Sequence, residues 1–312
     1  MSTPEPSWDL YGAFLAVIQH RSLSGASRAL GVTQPTVRRQ IESLESQLGV
    51  ALFTRSPNGL LPTELAKATV PHAEAIAASA RAFVRATSAP ADREAGTVRL
   101  TASEMIGAEV LPAMLTRLSI ARPEIQVELV LDDRNQDLLR RESDVAVRMI
   151  APTQKGLVQR RAGAIELGFF ASESYVARRG VPTSLSALSS HRLIGPDRSR
   201  AMLDGLAAVG LALSPRDFAL RTDSTIAQLA AVRAGLGVGV AQLPLALAPV
   251  PLVRVLPRVR FTLEAWVVTH EDLKNVARVR VVTDHLANEL AAYAKTPTDA
   301  RGTSRAPATR RA

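Results

Sequence analysis

At 312 residues, with 46% apolar and 21% charged side chains, the chain has room for two or three domains and excludes both wholesale disorder and a membrane-embedded protein. It contains no cysteine, which excludes disulfides, thiolate nucleophiles, zinc ribbons and iron–sulfur clusters. The net charge of +9 is uneven: residues 1–90 carry +2, 91–294 carry +3 and 295–312 carry +4, so any DNA binding must rest on a few placed arginines rather than a broad basic face.

The opening Met1-Ser2-Thr3-Pro4-Glu5-Pro6 has no basic segment leading into an apolar one, so a cytoplasmic location without a signal peptide is expected. Leu10, Phe14, Val17 and Ile18 then mark one apolar face at helical spacing. Ser24 is the expected N-cap of a short helix holding Ala26, Ala29 and Leu30, and Gly31 is its stop. Thr33 caps a third helix, in which Pro35 is tolerated because first-turn N–H groups have no helical partner. Val37, Ile41, Leu44 and Leu48 form the apolar stripe of that helix before Gly49 ends it. Two helices joined by Gly31-Val32-Thr33 make a helix-turn-helix.

At about 100° per residue, Pro35, Arg39, Glu42 and Ser46 lie opposite that stripe, flanked by Thr36 and Arg38. A helix that projects Gln34, Thr36, Arg38 and Arg39 outward suits a major groove, where Gln pairs with adenine and Arg with guanine or phosphate. The same pattern also describes an ordinary solvated face.

Phe14 to Val17, Ser22 to Ile41, Leu44-Glu45 and Leu48 to Arg55 together resemble, in order and with matching gaps, the N-terminal domain of LysR-type transcriptional regulators. The resemblance implies a winged helix-turn-helix over residues 1–63, in which Arg55 and the hairpin from Asn58-Gly59 to Thr63 form a wing beside the backbone or minor groove. The expected DNA contacts are Thr33, Gln34, Pro35, Thr36, Arg38, Arg39, Arg55 and Thr63. Two positions depart from the family pattern: Arg38 stands where serine is usual, and Pro62-Thr63-Glu64-Leu65-Ala66 replaces the usual wing ending. Arg38 is expected to add a phosphate or guanine contact.

From Glu64 to Ala89 the chain is alanine-rich, with Leu65, His72, Ser79 and Ala86, and Thr69, Ile76 and Phe83, recurring every seven residues. This resembles the family's dimerising linker helix, although the pattern also fits a surface helix. Pro71 should remove one hydrogen bond, and His72 is expected as a packed or interfacial residue rather than a ligand. Ala89 to Gly96 is a linker by composition.

Beyond it, Thr97–Thr101, a helix with Leu111, Leu115 and Leu118, then Val127, Leu129 and Leu131, then Val145–Val147 suggest βαβ units and a mainly parallel sheet. A second unit begins near Leu167 to Phe170 and includes a helix from Ser224 to Ala234. The chain then returns through Trp266 to Val268 to a helix around Asp284 to Leu290. The expected class is α/β: the winged helix-turn-helix plus, over 90–294, an effector domain of two α/β subdomains joined by two crossover strands. By the resemblance that domain is similar to periplasmic solute-binding proteins. Residues 295–312 read as a disordered basic tail.

Gly235-Leu236-Gly237-Val238-Gly239 does not read as a dinucleotide site, because a phosphate loop leaves a strand and opens a helix, and here the order is reversed. Residues 234–253 carry no charge, but Pro244, Pro249 and Pro251 break any membrane span, leaving a buried strand and loop. His20, His72, His191, His270 and His285 form no pair at metal-ligand spacing, and no glycine-flanked nucleophile accompanies Ser103. No metal, cofactor or catalysis is expected.

The second region offers a ligand crevice instead. Thr101, Ser103 and Glu104 follow the first strand and precede a helix, where backbone N–H groups and a hydroxyl hold small anions. Ser103 matches the position from which the family frequently contacts its effector. Arg148 ends a strand before the hinge, and Thr222, Asp223 and Ser224 occupy the corresponding turn of the second half. Helix capping accounts equally well for Asp223 and Ser224, and an ion pair for Arg148.

The resemblance thus implies a transcriptional regulator controlled by a small-molecule effector bound between two subdomains. The implied partners are double-stranded promoter DNA with an inverted repeat, other copies of the chain as dimer or tetramer, and RNA polymerase. A transport solute-binding protein would fit the C-terminal half alone, but not the Thr33–Arg55 motif. A small-molecule enzyme lacks a convergent catalytic set, and an architectural DNA binder has no use for the two hundred residues that follow.

Overall fold

The computed structural model describes residues 5–56, 59–132, 143–246 and 252–295, which divide at Ser88/Ala89 into two compact units. The first contains α1 (Trp8–His20), α2 (Leu23–Leu30), α3 (Gln34–Leu48), the hairpin β1 (Phe53–Ser56) and β2 (Gly59–Pro62), and α4 (Glu64–Ala86). Phe14 and Val17 of α1, Ala26 of α2 and Val37, Ile41 and Leu44 of α3 form its core, with Leu52 before the hairpin and Ala66 and Ala73 of α4. Phe14 and Phe53 stack at 5.8 Å between ring centroids, which at about 1 kcal/mol beyond its buried area helps fix the hairpin on α1.

Local chemistry sets the helix ends. Gly31 (φ 66°) and Gly49 (φ 68°) stop α2 and α3 in the left-handed region, as expected. The N-cap of α2 is a correction: Ser22 is extended and its Oγ accepts the Gly25 N–H at 3.0 Å, so the helix is already under way at Ser24. Leu48 is a second correction, 45% exposed because the last turn of α3 runs past the residues that form the core. Gly59 is required twice over. Its φ is 116°, and a Cβ there would meet the Arg21 carbonyl oxygen at 2.7 Å. In α4 the face packed inward is Ala66, Val70 and Ala73, while the heptad positions Leu65 and Phe83 are exposed and Pro71 is accommodated inside the helix.

The second unit opens with β3 (Gly96–Ala102), followed by a helical segment that is π-helical over Ile106–Val110 and continues as α5 (Leu111–Ala121). Then come β4 (Ile125–Leu131), β5 (Val145–Arg148), β6 (Leu157–Ala171), α6 (Glu173–Arg179), β7 (Leu193–Gly195), α7 (Arg200–Ala208), β8 (Phe218–Arg221) and α8 (Thr225–Arg233). β9 (Gly239–Gln242), α9 (Leu243–Ala246), β10 (Val253–Val255), β11 (Phe261–His270) and α10 (Ala277–Ala294) complete it.

The largest sheet has the order β10-β6-β11-β5-β3-β4, with β9 also on β6. It is not mainly parallel, contrary to the pattern-based expectation. Only β3/β4 and β3/β5 are parallel in it, and β7/β8 in a second small sheet, whereas β6 runs antiparallel to β9, β10 and β11, and β11 antiparallel to β5. The parallel pairs come from local crossover units, where a helix returns the chain to the same end of the sheet. β6 carries the chain out of the first subdomain and β11 brings it back alongside, and two neighbouring tracks traversed in opposite directions are antiparallel. At its start, the unit is tied to α10: Ala277 N donates to Ala91 O at 2.8 Å and Arg278 Nη1 to Ala89 O at 3.3 Å.

The helix-to-strand order around Gly235 is as expected. α8 ends, Gly235 turns at φ 80° with its N–H on Val232 O, and Gly239 opens β9. Among the described residues no helix is long and apolar enough to cross a membrane.

Candidate functional site

Two groups of residues singled out in the sequence are each brought together. On α3, Thr33 Oγ1 accepts the Thr36 N–H at 3.4 Å and lies 2.8 Å from Thr36 Oγ1, so these two hydroxyls fix the first turn. Gln34 Oε1 accepts from Ser24 Oγ at 3.4 Å, which bridges α2 to α3 and leaves the Gln34 amide nitrogen as an outward donor. Gln34, Pro35, Arg38 and Arg39 are all exposed. Neither guanidinium has an ion-pair or hydrogen-bond partner among the described residues, so each meets an incoming acceptor without first breaking a bond in the protein.

The hairpin beside α3 is fastened by contacts that periodicity does not reveal. Glu45 accepts the N–H groups of Leu52 at 2.6 Å and Phe53 at 2.9 Å, setting the entry to β1 from α3. Thr63 closes the hairpin and starts α4: its hydroxyl donates to Ala51 O at 3.1 Å and accepts from Ala66 N at 3.1 Å. Thr63 is therefore engaged as a closure and cap. The main chain of Arg55 pairs with Leu60 in the hairpin, and Asn58 lies outside the described residues. Asp9 ties α1 to α3 by accepting from Gln40 Nε2 at 3.2 Å. Hydrogen bonds from Ser7 and Gln40 hold its carboxyl below the usual carboxylate range.

The second group lies where the parallel strands β3, β4 and β5 end. Thr101 is next to last in β3 and Arg148 is the last residue of β5. Arg148 is buried, and its Nη2 donates to Thr101 Oγ1 at 3.3 Å and its Nη1 to Val147 O at 3.2 Å. Ser103 follows β3 and accepts the Gly107 N–H on its carbonyl at 2.8 Å. A Cβ at Gly107 would fall 2.0 Å from Leu131 Cδ2, so the exposed Leu131 side chain would have to turn aside. Ser224 caps α8 through the Ala227 N–H at 3.3 Å and donates to the Glu104 carboxylate, whose oxygens lie 3.1 and 3.0 Å from its Oγ. This bond joins the first subdomain to the second.

Thr222 and Asp223 play different parts. Thr222 Oγ1 accepts from Ser224 N at 3.2 Å, and its carbonyl accepts from Gln228 Nε2 at 2.6 Å, so both shape the start of α8. Asp223 faces the segment before α7, accepting N–H groups of Asp197, Arg198 and Ser199 at 3.0, 2.9 and 3.0 Å. The bonds from Arg198 and Ser199 hold its carboxyl below the usual range.

Pattern reading missed two further links and one unmatched hydroxyl. Glu109 pairs with Arg233 at 2.9 Å between the π-helical turn and α8. The Tyr293 hydroxyl donates to Gln242 Oε1 at 2.8 Å between α10 and β9, and burial, with Glu109 nearby, pushes the Tyr293 hydroxyl well above its ordinary range. Thr225 Oγ1, on the first residue of α8, is buried without a hydrogen-bond partner. Neither link carries a sequence signal, because its two partners are remote along the chain. No group of three or more His, Asp or Glu among the described residues could hold a metal ion.

Residues 8–67 match the family model of the bacterial regulatory helix-turn-helix protein, lysR family, and residues 91–291 match that of the LysR substrate binding domain. The chain belongs to the LysR family. It is 31% identical over 263 residues to a probable hydrogen peroxide-inducible genes activator of Mycobacterium leprae, covering 78% of this chain and 79% of that protein. It is 30% identical over 190 residues to an HTH-type transcriptional regulator of Xanthomonas campestris, a match that takes in 60% of this chain but only 54% of that relative's length. The structure of full-length CbnR complexed with its target DNA shares the fold, at a TM-score of 0.67 and 19% identity over 91% of this chain and 99% of that one. In this LysR-family chain, the two matched segments contain the exposed face of α3 and the Thr101–Arg148 and Glu104–Ser224 contacts respectively.

Proposed function

We propose that this chain is a LysR-type transcriptional regulator that binds an inverted-repeat promoter site through α3 and answers to a small molecule held between the two subdomains of its second unit. The observation that carries this reading is the outer face of α3: Gln34, Arg38 and Arg39 stand exposed on a helix capped at both ends and flanked by a hairpin. Donors of this kind at the N-terminal turns of a second helix fit the hydrogen-bond pattern of a major groove. That CbnR was captured with its target DNA, and that relatives are named transcriptional regulators, supports the same role here.

In this reading residues 1–63 bind DNA, 64–89 form a dimerising helix, 90–294 sense the effector and 295–312 are a basic tail. The protein acts in the cytoplasm as a dimer or tetramer, places two recognition helices one DNA turn or a multiple apart, and communicates with RNA polymerase. It is not an enzyme. Effector binding shifts the equilibrium between subdomain arrangements by no more than its difference in affinity for them.

The test is binding to the DNA flanking its own coding region, by footprinting and by anisotropy at several salt concentrations, for the parent chain and Arg39→Ala. A specific footprint lost or weakened in the variant is expected. A folded oligomer that protects no specific sequence overturns the proposal.

A further inference from the structure

The corner between α1 and α2 holds an arginine in a backbone conformation that favours glycine. Arg21 follows α1 with φ 50° and ψ 19°, and its N–H donates to Val17 O at 2.8 Å. α2 and α3 end in the same left-handed region, and there the residues are Gly31 and Gly49. Arginine has no short polar side chain to bond its own backbone, as asparagine and aspartate have, so it meets the steric cost of this region without return. Among the described residues the other non-glycine with positive φ is Leu256, which is buried in the core of the second subdomain, whereas Arg21 is exposed. The Arg21 guanidinium has no ion-pair or hydrogen-bond partner among the described residues, so no bond within the chain accounts for an arginine at this corner.

Strained backbone persists where its surroundings over-determine it, and here they do. The Arg21 carbonyl approaches Gly59 of β2 so closely that a Cβ on Gly59 would come within 2.7 Å of its oxygen. Ser22 Oγ accepts the Gly25 N–H at 3.0 Å, and a Cβ on Gly25 would fall 2.8 Å from His20 Cβ. Three residues after Arg21, Ser24 Oγ donates to Gln34 Oε1 at 3.4 Å in the first turn of α3. The corner is therefore fixed to the hairpin on one side and to the start of α3 on the other. A duplex that meets both of those elements runs past Arg21.

We propose that Arg21 is a further DNA contact of this chain, an arginine that holds a backbone phosphate between α3 and the hairpin. The proposal rests on the reading of α3 as the DNA-binding helix and adds to it a residue that reads no base. A planar guanidinium with all its donors free suits phosphate oxygens, and phosphate contacts fix the register of a protein on a duplex. Because the backbone of Arg21 is clamped, its side chain starts from a fixed point relative to α3 and the hairpin. Glycine would satisfy the corner alone; arginine satisfies it less well and brings a charge to the place where two DNA-facing elements meet.

The experiment uses the full-length chain and two duplexes of equal length: the fragment protected in footprinting beside its own coding region, and a scrambled sequence of the same composition. Anisotropy is read at four salt concentrations, and thermal melts are recorded for every variant. Arg21→Gly removes the guanidinium and supplies the residue that the backbone favours. Its melting temperature is expected to stay level or rise while its affinity for both duplexes falls by about tenfold for each bound chain at 0.1 M salt. The log–log salt slope should fall by about 0.9 for each bound chain, and Arg21→Lys, which keeps the charge, should keep the slope.

Unchanged affinity and slope in Arg21→Gly, a lowered melting temperature, a loss confined to the protected sequence, or a slope as flat in Arg21→Lys as in Arg21→Gly overturns the proposal. Arg39→Ala separates the two levels of failure. Binding weakened by Arg39→Ala but not by Arg21→Gly removes only this inference, whereas a parent chain that binds neither duplex removes the reading of α3 as well.

Discussion

Glu45→Ala measures how far the hairpin depends on one carboxylate of α3. In the parent, Glu45 accepts two N–H groups, from Leu52 at 2.6 Å and Phe53 at 2.9 Å. A hydrogen bond to a charged group contributes roughly 1.5–3 kcal/mol where water is excluded. Glu45 is only half-buried, so water replaces part of what the carboxylate supplies, and the two bonds together are expected to contribute about 2 kcal/mol. That energy acts on the local opening of 52–53 rather than on the whole unit, because Leu52 stays packed in the core with Phe14 and Val17.

Hydrogen exchange followed by mass spectrometry reads this directly. Exchange at the Leu52 and Phe53 amides should accelerate by about thirtyfold, the factor that corresponds to 2 kcal/mol, while the Val37–Leu44 amides of α3 are unchanged. Glu42→Ala is the control, since Glu42 is exposed and has no partner among the described residues. Unaltered exchange at Leu52 and Phe53 in Glu45→Ala, or an equal effect from Glu42→Ala, refutes the assignment of the hairpin's anchor to Glu45.

Arg38→Ser should weaken DNA binding and flatten its dependence on salt. If Arg38 meets a phosphate in each half of a dimer, the log–log slope falls by about 1.8, and titrations at three or more salt concentrations distinguish this from an unchanged slope. Gly107→Ala should destabilise the second unit by at most about 1 kcal/mol, because its Cβ would overlap Leu131 Cδ2 and the exposed Leu131 can turn aside, and a larger loss in a thermal melt contradicts that packing. Arg117→Ala tests a pH dependence. Arg117 donates to both oxygens of Glu289 at 2.8 and 2.6 Å and holds its carboxyl below the usual 4.5, so the stability that this pair contributes is complete above that value. It is lost as pH falls through the lowered value. Parent and variant melting temperatures should therefore differ near neutrality and converge in acid, and a constant difference down to pH about 2 argues against the assignment.

The elements legible in the sequence are those whose causes are local. Val37, Ile41 and Leu44 recur at helical spacing and are buried together. Gly31, Gly49 and Thr33 end or start helices by their own backbone preference or side-chain reach. Ser22 and Ser24 are both serines within one turn, and which of them caps α2 is decided by where the preceding chain leaves α1, information the spacing does not hold. Strand direction was illegible for a similar reason. The 15 residues of β6 and the 10 of β11 read as strands, but their antiparallel sense follows from a return path through the whole second subdomain. In the crevice, the sequence pointed to Ser224 and Glu104 separately, 120 residues apart, and could not disclose that one donates to the other. Asp223 was legible as a capping residue, but the amides it serves lie 24 to 26 positions earlier, outside any local pattern.

The polar contacts between the subdomains suggest how a small ligand could have a large effect in the proposed regulator. One apolar cluster runs continuously from Ile106, Val110 and Leu111 through Phe170 to Leu229 and Val232 of α8, so a wide opening would expose much of it at about 25 cal/mol per Å². In the proposed regulator, a change that keeps this cluster intact would be a small rotation about β6 and β11, with polar contacts exchanged at its edge. Those contacts include Glu104 to Ser224, Glu109 to Arg233 and Tyr293 to Gln242. At about 1 kcal/mol net each, their sum is of the same order as the roughly 3 kcal/mol of differential binding that shifts a two-state equilibrium about a hundredfold. A ligand that replaces one of them and strengthens another has enough leverage to select an arrangement. α10 lies at both ends of the path, holding Ala89 and Ala91 through Arg278 and Ala277 at its start and Gln242 through Tyr293 at its end.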